Sequence, residues 1–237
     1  MTILDQLLQV QEHDTRLDQL RHRRATLPER GSLAAQQQAI GEHDRSTRSV
    51  QEQRDTVGRE QKRLEDEVAI VEAKAADVDT TLYSGTVTSP RELQGFQDDL
   101  QSLRRRQRRL EDEVLGFMEQ LEPLDAELGR RAAARAELVS RADQLAEDLR
   151  AAESEVDAEI QRVEAERSTA AGPLPADLID RYERLRKQHD GVAVAPLVGN
   201  SCGGCHLTLS AVEVDRIKHE PPDALIFCEE CGRLLVR

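Results

Sequence analysis

Apolar residues recur with helical spacing through the first 170 residues of the chain. A first helix is predicted over residues 2–26, and Pro28 and Gly31 are predicted to break or kink the chain after it. Beyond this point two apolar tracks advance by seven residues, which is the period of a left-handed coiled coil. The pattern therefore predicts long helices that bury a narrow apolar seam.

The heptads stop at residues 83–90, where the sequence reads Tyr-Ser-Gly-Thr-Val-Thr-Ser-Pro. Gly85 can adopt a left-handed turn, Ser89 suits an N-cap, and Pro90 suits the first position of a helix. This segment is predicted to be the turn of a helical hairpin. Within the helix that follows, Pro123 removes a backbone hydrogen bond and is expected to produce a kink.

The lengths of the helical segments suggest how they pair. Residues 33–82 can run antiparallel to about 90–139, which leaves 140–168 to pair with the first helix. We therefore predict one long coiled-coil hairpin whose outgoing arm is interrupted. Its domain is assigned to residues 1–170.

After residue 170 the sequence changes character. Residues 171–191 are predicted to be a linker that carries a short amphipathic helix at 176–188, and 192–237 to be a separate small domain. Ser210 can cap a short helix that ends at Lys218. The predicted β-prone runs of this last domain are 192–198, 206–209, 224–227 and 234–236.

Two Cys-x-x-Cys pairs lie in the last domain, with twenty-two residues between Cys205 and Cys228. Two such knuckles can place four thiolates tetrahedrally around zinc, at about 2.3 Å. Gly204 and Gly232 permit the tight backbone bends that this needs. Four cysteines leave no open coordination position, so the prediction is one structural Zn²⁺ that helps the domain to fold. The predicted ligands are Cys202, Cys205, Cys228 and Cys231.

Other interpretations of these cysteines are weaker. A redox dithiol needs a single Cys-x-x-Cys beside the start of a helix, without a matched second pair. An iron centre on the same four ligands stays open from the sequence. His206 and His219 lie nearby and are interpreted as surface or outer-sphere residues. The predicted fold class is mainly α, a long antiparallel coiled-coil helical hairpin with a small C-terminal β zinc ribbon.

Composition and charge narrow the range of partners. Aromatic residues make up only 2% of the chain, as expected when apolar area is buried along a seam, and the net charge is -13. That charge disfavours nonspecific binding to nucleic acid or to an anionic membrane. The chain has no run of about 20 apolar residues and no signal-peptide pattern at its N-terminus, so we expect a cytoplasmic protein.

Two groups of basic residues are candidate nucleic-acid contacts. The run from Arg104 to Arg109 can contact phosphates, or it can pair with acidic residues 65–67 on the facing arm, and the second interpretation is favoured. The ribbon carries six acidic residues against four basic ones and one aromatic, which favours a protein partner. The candidates are Arg104, Arg105, Arg106, Arg108 and Arg109 in the helix, and Arg216, Lys218, Arg233 and Arg237 in the ribbon.

The hairpin, the turn that leads into residues 90–93 and the four-cysteine ribbon together resemble a bacterial family, the C4-type zinc-ribbon, coiled-coil family called domain of unknown function 164. The resemblance covers essentially the whole chain. It implies zinc on the four cysteines and a role as an adaptor or chaperone for protein partners, including transcription and secretion components, while some members are linked to nucleic-acid binding.

No nucleophile with its base, phosphate-binding loop or paired catalytic carboxylates can be recognised, so we expect no enzyme activity. The leading hypothesis is a non-enzymatic adaptor. The alternatives are a nucleic-acid-binding regulator and a purely structural spacer, and the oligomeric state stays open.

Overall fold

The structure is a computed structural model that describes residues 2–221 and 224–237. Its described residues form five α-helices and a four-stranded sheet, and none of these helices is both long enough and apolar enough to cross a membrane. The helices are α1 (Ile3–Ala25), α2 (Pro28–Tyr83), α3 (Pro90–Ala171), α4 (Ala176–Gln188) and α5 (Ala211–His219). The strands are β1 (Val194–Val198), β2 (Ser201–Cys202), β3 (Ile226–Phe227) and β4 (Leu234–Val236).

The chain divides into two compact units. The first joins the chain up to Ser32 with Leu145–Arg237, and the second is Leu33–Gln144. This division is based on contacts in space. The boundaries at residues 170 and 191 are predicted from changes in composition and apolar spacing, and they stay predictions.

The first helix begins with a capping box, in which the Thr2 hydroxyl accepts from the Asp5 backbone N–H and the Asp5 carboxylate accepts from the Thr2 N–H. It ends at Ala25, and Pro28 is already the first residue of α2. The break predicted beside Pro28 is therefore confirmed at residues 26–27, whereas Gly31 lies inside α2 and does not interrupt it. Proline's fixed φ and missing N–H suit the first helical turn, and one glycine in a helix costs only about 1 kcal/mol.

Helices α2 and α3 pack antiparallel in the second unit, as predicted. Leu64 and Val71 of α2 are buried against Leu110 of α3. Farther along, the Gln36 side-chain amide donates to the Leu138 carbonyl at 2.9 Å. These contacts confirm that residues 33–82 pair with about 90–139.

The turn between α2 and α3 also follows the prediction. Gly85 has a φ of 74°, in the left-handed region that glycine adopts without steric cost, and Pro90 starts α3. Pro123 lies inside α3 without ending it. The kink expected there stays a prediction.

In the first unit, the second half of α1 packs on the last third of α3. Leu17 and Leu20 form a buried cluster with Val156 and Val163 of α3. Charged side chains border this seam, among them Arg16 with Glu159, Arg24 with Asp157, and Arg30 with Glu153. The predicted pairing of the first helix with residues 140–168 is therefore confirmed.

The small sheet has the strand order β2-β1-β4-β3. Strand β1 runs antiparallel to β2 and parallel to β4, and β4 runs antiparallel to β3. The segment 206–209, predicted as β-prone, forms no strand, because His206 has a φ of 61° and Thr208 makes only an isolated bridge with Ser201. The predicted helix after Ser210 is confirmed as α5, whose Glu213 N–H donates to the Ser210 hydroxyl.

A pair of matched substitutions tests the packing of α1. Leu20 is 1% exposed, whereas Leu115 on α3 is 55% exposed. We expect Leu20→Ala to lower the free energy of unfolding by about 2–5 kcal/mol, because it leaves a cavity against α3. Leu115→Ala is expected to cost less than about 0.5 kcal/mol. Urea denaturation followed by circular dichroism measures both, and equal losses would contradict this packing.

Candidate metal centre

The four cysteines lie on two tight turns of the ribbon, with Cys202 at the end of β2, Cys205 just beyond it, and Cys228 and Cys231 between β3 and β4. The Sγ atoms of Cys202 and Cys231 are 3.9 Å apart, as are those of Cys205 and Cys228. All four lie within 4.8 Å of one another. A tetrahedron with metal–sulfur bonds of about 2.3 Å has sulfur–sulfur edges of about 3.8 Å, whereas a disulfide needs about 2.05 Å. The sulfurs therefore fit one tetrahedral metal and are not disulfide-bonded.

Backbone hydrogen bonds shape the two knuckles. In the first, the Gly204 N–H donates to Cys202 Sγ at 3.4 Å and the His206 N–H donates to the Cys202 carbonyl at 2.8 Å. In the second, the Gly232 N–H donates to the Cys228 carbonyl at 2.7 Å, with φ at 75°. Amides directed at the sulfurs stabilise thiolates, which is the form that binds a metal.

The first knuckle has room only for glycine. A Cβ on Gly204 would lie 2.6 Å from Arg233 Cδ and 3.1 Å from Ala195 Cβ. A Cβ on Gly203 would lie 2.8 Å from the Pro196 carbonyl oxygen, to which the Gly203 N–H donates at 2.8 Å. The sequence predicted a role for Gly204 and Gly232 but missed Gly203, although the Gly-Gly pair between the cysteines was the available signal.

The metal centre is partly enclosed by an apolar cluster. Cys202 and Cys228 are buried, while Cys205 and Cys231 are half-buried. Burial raises the pKa of the Cys228 thiol to about 12. Burial acts in the same sense on Cys231, but hydrogen bonds from the backbone and side chain of Arg233 bring the pKa of Cys231 down to about 7. Metal binding must therefore displace a proton from Cys228 at neutral pH. The apolar side chains around the cysteines are Leu209, Val214, Ile217, Ile226 and Leu235.

The histidines of the ribbon stay outside this set. Across residues 2–221 and 224–237, the four cysteines form the one group of three or more His, Cys, Asp or Glu side chains whose ligand atoms come together. His206 is exposed, and His219 is exposed with Nδ1 at 2.8 Å from the Asp215 carbonyl. The ligand set is thus all-sulfur, which is typical of a closed structural zinc site.

Two family models match the chain. The model of the CT398-like coiled coil hairpin domain matches residues 10–190, and that of the C4-type zinc ribbon domain matches residues 201–235. The chain belongs to the CT398-like coiled-coil hairpin family. The zinc-ribbon match and the four clustered thiols together assign one structural zinc, which cross-links the two knuckles when it is bound.

The chain also resembles individual proteins along nearly its whole length. It is 31% identical to two proteins of Mycobacterium tuberculosis, uncharacterized protein MT2288 and uncharacterized protein Rv2229c, over 98% of this chain and 94% of each of theirs. A solved structure from Mycobacterium smegmatis has a TM-score of 0.87 at 25% identity, covering 99% of this chain and 97% of that one. CT398 from Chlamydia trachomatis has a TM-score of 0.69 at 18% identity with the same coverage, and shares the fold.

The arginine run on α3 of this family member is only partly paired. Arg106 lies 2.5 Å from Glu67, as the favoured interpretation predicted, and Arg104 lies 3.4 Å from Asp79. The other three side chains are exposed and make no ion pair within the described ranges. These three are Arg105, Arg108 and Arg109.

The basic residues of the ribbon are mostly engaged in internal contacts. Arg216 pairs with Glu213 at 2.5 Å, and the Arg233 guanidinium donates to the carbonyls of Val192 and His189. Arg237 donates to three carbonyls, those of Ile217, Glu220 and Pro221. Lys218 is exposed. Three of the four candidate contacts in the ribbon thus bind the protein itself.

Substitution of two glycines tests the close approach in the first knuckle. Gly203→Ala pushes a methyl group against the Pro196 carbonyl, so we expect less than one zinc per chain after dialysis against a weak chelator. Gly116→Ala, in α3 where a Cβ meets nothing within 4 Å, is expected to keep full zinc and to stabilise the protein by up to about 1 kcal/mol. Zinc content by atomic emission and thermal unfolding measure both. Full zinc in Gly203→Ala would refute the close approach.

Proposed function

We propose that this protein is a non-enzymatic adaptor or chaperone that binds protein partners through its zinc ribbon, with the hairpin as a second, extended surface. The observation that carries this proposal is which side chains of the ribbon are exposed to solvent. Its basic side chains are mostly engaged internally, while several of its apolar side chains face solvent.

The exposed apolar side chains of the ribbon favour a protein partner. Val212 on α5 is 81% exposed, Val198 at the end of β1 is 63% exposed, and Leu207 beyond the first knuckle is 50% exposed. Exposed apolar side chains on a small rigid domain are the groups that partner proteins bury. A nucleic-acid surface would instead display free cations and exposed aromatic rings. Phe227 is half-buried and packs under the Arg181 guanidinium, 5.3 Å from its ring centre.

The absence of catalysis is part of the proposal. Four thiolates fill the coordination of a zinc ion, which leaves no position for substrate. The buried carboxylate of Asp14 accepts from Arg167 at 2.7 Å and from the Tyr182 hydroxyl at 2.6 Å, so it is not available as a base. Burial and the hydrogen bond to Asp14 raise the pKa of the Tyr182 phenol, which keeps it protonated.

The proposed partners are components of the transcription or secretion machinery, and the proposed location is the cytoplasm. Four unpaired thiols that bind zinc are suited to a reducing compartment. The net charge of -13 suits electrostatic steering of a basic partner more than tight binding.

One observation favours nucleic-acid binding as a second candidate. Arg105, Arg108 and Arg109 stand at helical spacing on one exposed face of α3, without ion pairs in the described part of the chain. Each can neutralise a phosphate, and affinity would then fall steeply as salt is raised.

Quantitative co-purification of the tagged protein from its own cells separates the two functions. Under the adaptor proposal, Val212→Ser and Leu207→Ser should reduce the recovery of zinc-dependent protein partners by about tenfold, because each removes an exposed apolar contact. Zinc content should stay at one per chain in both variants. The same change at Ile70, which is 55% exposed on α2, is expected to reduce recovery less, because Ile70 lies outside the ribbon.

The second candidate predicts a different pattern. Recovery would be lost on nuclease treatment or at high salt, and a triple change of Arg105, Arg108 and Arg109 to Gln would remove it while Val212→Ser left it intact. That pattern would overturn the adaptor proposal.

A further inference from the structure

Helix α1 is covered by two different partners along its length. In its first half, Leu4, Leu7 and Val10 are 3%, 0% and 0% exposed. They are buried by the last residues of α3, by α4, by the chain around Leu174 and by the ribbon, whose contributions are Ala193, Val194, Leu234 and Val236. In its second half, Leu17 and Leu20 pack on α3 in a cluster that contains no ribbon residue. The ribbon therefore supplies part of the cover of the first half and none of the cover of the second half.

The ribbon sheet is a single layer between the α1 cluster and the cluster that contains the cysteines. Val194 of β1 pairs with Leu234 of β4, and both face the α1 cluster. The next pair, Ala195 with Leu235, faces the opposite side and packs in the cluster of Cys202 and Cys228. Successive side chains of a strand point to opposite faces, so the same two strands carry both cores. Loss of the sheet would therefore remove side chains from both cores.

Polar contacts fasten the start of the ribbon to α1. The Gln11 side chain is 4% exposed, and its Nε2 donates to the Gly191 carbonyl at 2.8 Å. Its Oε1 accepts from the Ala193 N–H at 2.7 Å and from the Val194 N–H at 3.3 Å. Buried amides of this kind need their partners, because an unsatisfied group costs stability. The α1 helix thus holds the chain that enters β1.

A second contact ties the metal knuckle to the same segment. Arg233 follows the second knuckle, and its Nε donates to the Val192 carbonyl at 2.9 Å. Its backbone carbonyl accepts from the Cys228 N–H at 2.9 Å, inside the knuckle. Arg233 therefore connects the knuckle to Val192, which lies between the residues that Gln11 contacts.

We infer that the ribbon is a zinc-dependent cover for the first half of α1, and that loss of zinc uncovers the apolar face of Leu4, Leu7 and Val10 while the second half of α1 stays folded on α3. The four strands have two to five residues each, too few to hold a sheet without the metal. The Leu17 and Leu20 cluster keeps its partners on α3 and so needs no zinc.

Hydrogen–deuterium exchange on the full chain, with and without a strong zinc chelator, tests this inference. After chelation the amides of residues 7–14 should exchange at least about tenfold faster, together with those of β1 and β4. The amides of residues 17–25 should keep their protection, which makes the second half of α1 an internal control. Added zinc should restore the slow exchange, and the fluorescence of anilinonaphthalene sulfonate should rise on chelation and fall again.

A variant that retains zinc tests the fastening separately. Gln11→Ala should keep one zinc per chain but make residues 7–14 exchange at least about threefold faster. Gln38→Ala is the control, because the Gln38 side chain is exposed on α2 and hydrogen-bonds only to the Glu42 carboxylate in the described chain. If residues 7–14 exchange at the same rate in Gln11→Ala as in the unchanged protein, the Gln11 hydrogen bonds do not hold the ribbon on α1. Chelation that frees only the ribbon amides, or that frees residues 17–25 as well, would overturn the inference.

Discussion

Four cysteine thiolates around one zinc ion hold together strands that could not form a stable sheet alone. The strands contain two to five residues, and the apolar cluster beside the metal site contains only a few aliphatic side chains. A domain of this size lacks the buried area that offsets the entropy of folding, so a metal cross-link supplies what the core does not. Metal binding needs the four sulfurs held close together. The hydrogen bonds of the knuckles and the glycines that leave no room for a Cβ hold them there.

The same sheet makes the zinc important beyond the ribbon. Because β1 and β4 form one layer, their alternate side chains bury Cys202 and Cys228 on one side and Leu7 and Val10 on the other. Buried polar groups beside this core have hydrogen-bond partners. The Gln11 side-chain amide bonds to the backbone just before β1, and the Asp14 carboxylate accepts from Arg167 and Tyr182. The first unit is thus a helical seam at one end of α1 and a metal-supported core at the other.

Local signals in the sequence predict most of the fold. Heptads specify which helix faces are buried, Gly85 and Pro90 mark the turn, and the spacing within each cysteine pair marks the metal site. Each of these features is set by residues that are close together in the sequence. Contacts between distant residues escape this reasoning. The parallel pairing of β1 with β4 joins segments about forty residues apart, and Gln11 looks in sequence like any polar residue of a helix. The run 206–209 reads as a strand, but the knuckle requires a positive φ at His206.

The ribbon and the cover of α1 both depend on one zinc ion that is bound by four cysteine sulfurs and by no other atom. X-ray absorption at the zinc edge of the purified protein measures the ligands directly. We expect four sulfur neighbours at about 2.3 Å and no nearer shell. A shell of nitrogen or oxygen at about 2.0–2.2 Å, from histidine, carboxylate or water, would contradict it.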